Sequence, residues 1–203
     1  MSRLVAMTMR DTYVRERGEA RDCLEVAWWP FLRACNLAPI CIPNDPTIAV
    51  ELLDHIDVAG LILTGGGDVW LNDKACARDE VEEISIARMI EIDMPVIGIC
   101  RGLQKMCAVY GGSLQPITGH VRTSHRIFGP SGERHVNSFH NYQIDRVPDG
   151  FEAKAWAEDG SIEWIAHRTR RLAGIMWHPE RMETPDASDV QLFVDAFGSM
   201  RSL

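Results

Sequence analysis

Cys100, His178 and Glu180 are the residues of this chain whose types and settings suit nucleophilic chemistry. A thiol becomes an effective nucleophile when a base takes its proton and a third group holds that base in place. Cys100 is centred in Gly98-Ile99-Cys100-Arg101-Gly102, a glycine–x–nucleophile–x–glycine pattern. Glycine permits the tight backbone such a turn needs, and a helix beginning just after it favours a negative sulfur. His178 and Glu180 stand two apart in Gly174-Ile175-Met176-Trp177-His178-Pro179-Glu180, which reads as the end of an apolar strand. In extended backbone both side chains leave on the same side, so the carboxylate could hold one imidazole nitrogen while the other faces the thiol. Each stretch also has a plainer reading, as a buried core cysteine and as a surface His-Pro-Glu turn. Their occurrence in one chain favours the chemical reading.

Other groups could serve the same reaction. Gly65-Gly66-Gly67 follows an apolar run, and three glycines can turn backbone N–H groups toward a developing oxyanion. A flexible turn would look the same. A phosphate-binding loop is disfavoured, because no Gly-Lys-Ser/Thr ending and no helix start follows. Arg101, the residue after the nucleophile, would supply a second N–H. Val136-Asn137-Ser138-Phe139-His140-Asn141-Tyr142 is either a substrate-binding strand end or an ordinary polar loop. His120, His125 and His135 are too irregularly spaced to suggest a metal site and read as surface or internally satisfied histidines, although His120 and His125 could line a pocket.

The elements that must position these groups follow from periodicity. Pro95 to Ile99 is short, apolar and β-branched, the pattern of a buried strand. Leu103, Met106, Cys107 and Tyr110 then recur at helical spacing until Gly111-Gly112, which places Cys100 where a strand turns into a helix. Upstream, Leu4–Met9, Ala38–Ile42 and Val58–Leu63 read as strands. Gly18–Cys35, Pro46–His55 and Asp79–Glu91 read as helices, with Pro30 kinking or ending the first. This alternation predicts an α/β fold with a mostly parallel central sheet flanked by helices on both faces. After Gly112 the segments shorten to about Arg134–Asn137, Glu152–Ala157, Ile162–Ala166 and Leu172–Trp177. Turn signals at Pro148-Asp149-Gly150 and Glu158-Asp159-Gly160 predict added short antiparallel strands. Asp186–Phe197 closes the chain as a helix. With no internal repeat or linker, residues 1–203 read as one domain.

Composition narrows the function further. The chain has 203 residues and a net charge of −8 with no long basic run, which argues against electrostatic nucleic-acid binding. No segment approaches the roughly 18 apolar residues of a membrane span. Met1–Arg10 is too short and polar for a secretory signal. Six cysteines without a CxxC pair read as reduced thiols, as expected in a cytoplasmic protein.

Taken together, Gly98-Ile99-Cys100-Arg101-Gly102-Leu103-Gln104 and Trp177-His178-Pro179-Glu180 resemble the class I glutamine amidotransferases, whose fold is flavodoxin-like, and in particular their γ-glutamyl hydrolase branch (the peptidase C26 type). Leu63-Thr64-Gly65-Gly66-Gly67-Asp68, Arg78-Asp79 with Glu82, and Val136-Asn137-Ser138-Phe139-His140 are similar to that branch's other signatures, in the same order. The resemblance implies Cys100 as nucleophile, His178 as general base and acid, and Glu180 as its orienter. It implies an oxyanion hole from the backbone N–H groups of Gly66 and Arg101. Gln104, Ser138 and Phe139 would hold a small-molecule γ-glutamyl substrate, and His140 would reach it. The implied reaction is attack on the γ-carbonyl, release of an amine or amidate, and hydrolysis of a glutamyl thioester, with no metal or organic cofactor. The short length and the Ser138–Tyr142, Asp159–Glu163 and Ile175–Arg181 stretches are similar to branch members that release a nucleotide phosphoramidate (cytidine diphosphoramidate, used in capsule modification). Arg101, Arg122, Arg126 and Arg181 could then pair with phosphate oxygens. Asp68, Asp73 and Glu183 would suit a polyamine leaving group instead. The motifs are also compatible with a γ-glutamyl-aminobutyrate hydrolase, or with a glutaminase subunit serving a synthetase.

Overall fold

Leu61–Leu63 and Val96–Ile99, which read as unbroken apolar runs, are buried along their whole length, as strands covered on both faces must be. The computed structural model describes residues 2–67, 69, 76–130 and 132–198. In chain order its elements are β1 (Arg3–Thr8), β2 (Arg10–Val14), β3 (Glu19–Cys23), α1 (Trp28–Ala34), β4 (Leu37–Ile42), α2 (Pro46–His55), β5 (Leu61–Leu63), α3 (Ala77–Glu91) and β6 (Val96–Ile99). There follow α4 (Arg101–Val109), β7 (Ser113–Pro116), β8 (Val121–Gly129), β9 (Gly132–Phe139), β10 (Tyr142–Arg146), β11 (Phe151–Ala157), β12 (Ile162–His167), β13 (Leu172–Ile175), a 3₁₀ turn at Pro179–Arg181, and α5 (Ala187–Gly198).

Among the described residues, nine strands form one sheet in the order β4-β1-β5-β6-β13-β12-β11-β8-β9. The pairs from β4 to β13 are parallel; those beyond β13 are antiparallel. Side chains alternate across the sheet. Val5, Met7 and Ile62 join a core with Phe31, Leu32, Phe193 and Phe197 of α1 and α5. Ala6, Leu61 and Leu63 join the opposite core with Leu53, Val81, Met89, Leu103 and Met106 of α2, α3 and α4. Helices therefore cover both faces, as the alternation predicted. Among the described residues, no helix is long and apolar enough to cross a membrane.

The structure departs from the sequence reading in two places. Gly18–Cys35 is not one helix. Its first part pairs as β3 with β2 in an exposed hairpin, closed by Gly18 at φ +64°. Glu19-Ala20-Arg21-Asp22-Cys23 has no apolar stripe to bury at helical spacing, so nothing rewards a helix there. Pro30 neither kinks nor ends α1, because it lies in the first turn, where an N–H has no intrahelical partner. The second departure is the antiparallel extension. Its β8 and β9 run nine and eight residues, longer than the short strands expected, and β7, β8 and β10 carry no clear strand signal in the sequence. β8 is polar and mostly exposed on both sides, so it shows little of the alternation that marks a half-buried strand.

Three neighbouring parallel strands position the chemistry. Leu63 of β5 lies beside Gly98 of β6, and Ile99 of β6 beside Ile175 of β13. Each strand stops at that level and delivers its next residues, Thr64-Gly65-Gly66, Cys100, and Met176-Trp177-His178, to the same carboxyl-terminal edge.

Candidate active site

Cys100 occupies the turn between β6 and α4 with φ +51° and ψ −102°, a conformation that side-chain-bearing residues avoid. Two hydrogen bonds fix it: its N–H donates to Ile175 O at 2.8 Å, and its carbonyl accepts from Gln104 N at 3.0 Å. The flanking glycines are required by close approach. A Cβ on Gly98 would lie 2.5 Å from the Gly102 carbonyl carbon, and one on Gly102 would lie 2.2 Å from Leu63 O. Cys100 is thus the N-cap residue of α4, and its sulfur lies at the helix end where orphan N–H groups favour negative charge, without a capping hydrogen bond of its own.

His178 is buried beside this sulfur. Its Nδ1 lies 2.7 Å from Glu180 Oε1, which leaves Nε2 for the thiol. The pair does not form along extended backbone as expected. Pro179 bends the chain into the 3₁₀ turn, and Glu180 reaches back from it. Asn137 clamps the His178 backbone from β9: His178 N–H donates to Asn137 Oδ1, and Asn137 Nδ2 donates to His178 O, both at 2.8 Å. The imidazole is wedged between Phe139, edge-on at 5.6 Å between ring centroids, and Gly65, where a Cβ would come within 2.5 Å of Cε1. Burial alone would lower the His178 pKa. The charges and hydrogen bonds of Cys100 and Glu180 outweigh it and raise the value to about 10.

The glycine turn is set by a buried charge network. Gly66 and Gly67 adopt φ +85° and +79°. Arg78 donates to Gly66 O at 2.6 Å and to Thr64 O at 2.7 Å, while its Nε bonds Glu82 at 2.9 Å. The other oxygen of Glu82 takes the Arg101 guanidinium, which also bonds Asp79 at 2.7 Å. The Arg101 side chain is therefore held in this network and is not offered to a phosphate as expected. Arg126 is also withdrawn, since it pairs with Glu133 and Glu158 on the surface. Arg181 is nearer the site. It pairs with Glu25 at 2.8 Å and lies over the Phe139 ring at 4.5 Å.

A cleft of about 250 Å³ opens on His178, Gly65 and Gly66. Its other wall is Arg10, Cys23, Leu24, Glu25 and Trp28, from the β2–β3 hairpin and the start of α1. None of these stands out in the sequence, because the second hairpin strand reads there as helix. An adjoining depression of about 510 Å³ adds Arg122, Phe139, Met182 and Glu183. Gln104 is buried and donates to Tyr142 O at 3.1 Å, and the Ser138 hydroxyl donates to His120 O at 2.8 Å. Asp68 and Asp73 lie outside the described residues.

His140 joins a second cluster rather than the cleft. Its Nε2 is 3.2 Å from His120 Nδ1 and 3.4 Å from Glu163 Oε1, and His125 Nε2 is 3.3 Å from that same oxygen. The histidines whose chain spacing argued against a site, His120 and His125, are brought together by folding; His135 is exposed. Glu163 is wholly buried. Burial pushes its carboxyl up, but His125 and His140 outweigh this and hold it below the ordinary range.

Comparison with known proteins places the chain in a family. The model of the family described as Glutamine amidotransferase class-I matches residues 31–195. A γ-glutamyl-CDP-amidate hydrolase of Campylobacter jejuni is 30% identical over 169 residues, covering 80% of this chain and 82% of that protein. A glutamine-hydrolysing GMP synthase of Phenylobacterium zucineum is 34% identical over 155 residues, which is 70% of this chain but 28% of that protein. A solved glutamine amidotransferase structure from Thermotoga maritima superposes with a TM-score of 0.64 at 16% identity, covering 97% of this chain and 82% of that one. The family match spans the glycine turn, the strained Cys100 turn and the His178–Glu180 pair alike, and this chain belongs to the class I glutamine amidotransferases.

Proposed function

We propose that the chain hydrolyses a γ-glutamyl amide through a glutamyl thioester on Cys100. The observation that carries this reading is the strained Cys100 turn placed against an imidazole whose far nitrogen is held by Glu180. His178 takes the Cys100 thiol proton, Sγ attacks the γ-carbonyl carbon, and the oxyanion is met by the N–H groups of Gly66 and Arg101. His178 passes its proton to the leaving nitrogen, and the C–N bond breaks. A water then gives a proton to His178 and attacks the thioester, releasing glutamate and free Cys100. Glu180 keeps the imidazole in the tautomer and orientation both steps need. Gln104 and the Ser138–Phe139 backbone hold the glutamyl group, with His140 supporting that segment from behind.

The leaving group in this proposal is a nucleotide phosphoramidate, as in γ-glutamyl-CDP-amidate. Support comes from the relative that covers most of both chains and from Arg10 and Arg122 around the cleft, which suit phosphate oxygens; Arg181 is already paired with Glu25. A second reading, glutamine hydrolysis for a separate synthetase, is favoured by the similarity to the glutamine-hydrolysing GMP synthase. Comparing kcat/KM of the isolated chain on γ-glutamyl-CDP-amidate, γ-glutamyl-putrescine, γ-glutamyl-aminobutyrate and glutamine separates these. The proposal expects the nucleotide amidate to be preferred without any partner. Preference for the putrescine conjugate would overturn the leaving group and leave the cysteine mechanism standing. Glutamine turnover that appears only with a synthetase would favour the second reading.

A further inference from the structure

We propose that His120, His125, His140 and Glu163 form a zinc site behind the active-site wall, outside the machinery that cleaves the substrate. Among the described residues, one ligand atom each from His120, His125 and Glu163 lie within 4.8 Å of one another, and His140 adjoins this set. Tetrahedral zinc with bonds of about 2.0–2.1 Å places neighbouring ligand atoms about 3.3–3.4 Å apart. The separations of 3.2 Å for His120 Nδ1 to His140 Nε2, and 3.3 and 3.4 Å from Glu163 Oε1 to His125 and His140, match this spacing; the 3.9 Å from Glu163 Oε1 to His120, and the spread of up to 4.8 Å across His120, His125 and Glu163, would close when the ion binds.

The orientation of the rings argues the same way. His120 turns Nε2 outward to Asp159 Oδ2 at 2.9 Å, and Asp159 is itself held by the amide and hydroxyl of Ser161. His140 turns Nδ1 outward to Tyr142 O at 3.0 Å. Both acceptors favour a proton on the outer nitrogen. In those neutral tautomers His120 Nδ1, which also lies 3.4 Å from Ser138 Oγ, and His140 Nε2 would offer lone pairs to an ion. Carboxylate and carbonyl acceptors behind imidazoles are the usual supports of a metal site. Glu163, with no exposed surface, has neither oxygen in a well-directed hydrogen bond, and His125 Nε2 lacks one too. A buried carboxylate is costly unless charge or directed bonds meet it; His125 and His140, at 3.3 and 3.4 Å, supply part of this, and an ion would supply the directed bonds they lack. One Zn²⁺ would satisfy the inward lone pairs and offset the two carboxylates, Glu163 and Asp159. Imidazole donors favour zinc over calcium or magnesium. The ion would tie β8, β12 and the segment after β9 together.

The test uses the full chain without a histidine tag, grown with zinc and passed over chelating resin. Elemental analysis should give one zinc per chain, kept by Cys100→Ser and reduced at least tenfold in Glu163→Gln and His125→Gln. Strong chelation should lower Tm, and zinc at about a hundred times its Kd should restore roughly 5–10 °C. Should both variants fail to fold, cobalt in the wild-type chain decides. Intense visible bands of tetrahedral cobalt, without a thiolate charge-transfer band, support the site. No bound metal together with no Tm response to zinc would overturn the proposal and leave a histidine–glutamate ion cluster. Zinc lost in Cys100→Ser but kept in Glu163→Gln would also overturn it, by placing the ion on the catalytic thiol.

Discussion

The molecule holds two buried histidine–glutamate assemblies, and they are built differently. His178 and Glu180 stand two residues apart at the end of a parallel strand, share one directed contact of 2.7 Å, and leave the other ring nitrogen for Cys100. Around Glu163 of β12, three imidazoles from in and beside the β8–β9 hairpin approach one oxygen at 3.3–3.9 Å without a directed hydrogen bond. A carboxylate that steers a moving proton needs one well-aimed bond and a partner with a free nitrogen. A carboxylate ringed by nitrogens at similar distances has the geometry of a cage. On the two proposals, the first assembly serves turnover and the second serves cohesion of the antiparallel strands.

The strongest way to break this contrast is to remove the nucleophile or its base. Cys100→Ser or His178→Ala should each lower kcat by about 10⁴–10⁶-fold while leaving the chain folded, because the group acts as a unit. Near-normal turnover in either folded variant would sink the mechanism. Glu180→Gln should be milder, by about tenfold to a hundredfold relative to His178→Ala, since Glu180 orients and does not itself carry the proton. The same variant has a stability signature. A histidine raised from 6.5 to about 10 contributes stability that is complete below pH 6.5 and lost as pH climbs through 10. The Tm gap between wild type and Glu180→Gln should therefore be widest near pH 6 and narrow toward pH 10; a gap that widens would contradict the assignment. Asn137→Ala sharpens the comparison more finely. Freeing the His178 backbone should cost roughly 10–100-fold in kcat with KM little changed, because misplacement of about 1 Å suffices for such a loss. An equal rise in KM would mean that Asn137 meets the substrate instead.

How far the sequence reveals these two assemblies follows from how each is encoded. Gly98, Cys100 and Gly102 lie within one short stretch, and so do His178 and Glu180, so a linear reading finds them. The parallel strands are legible for a related reason: runs such as Val96–Ile99 are apolar throughout because both faces are covered. The second assembly depends on the antiparallel half. His125 belongs to a strand whose polar, exposed sequence hides it, and Glu163 lies two strands away across β11. Asn137 is visible within a motif, but its bidentate hold on His178 needs β9 to pass beside the segment after β13. The β2–β3 hairpin is hidden because Glu19–Cys23 buries no face, and with it go Arg10 and Glu25 of the cleft wall.

Glu82 has a consequence for how the molecule meets a changing solution. One carboxylate with no exposed surface receives Thr8, Arg78 and Arg101, and through Arg78 it also fixes the carbonyls of Thr64 and Gly66. The strand that presents the glycine turn and the helix that begins after Cys100 are thus gauged from the same two oxygens. Removing that carboxylate would take one buried acidic partner from each of two guanidinium groups, leaving Arg101 on Asp79 and Arg78 on the Thr64 and Gly66 carbonyls, and should be strongly destabilising. Dissolved ions barely weaken such enclosed charges, whereas they screen Arg10 and Arg122 at the mouth of the cleft. Ionic strength consequently reaches the capture of a charged substrate and leaves the spacing of the reacting groups alone.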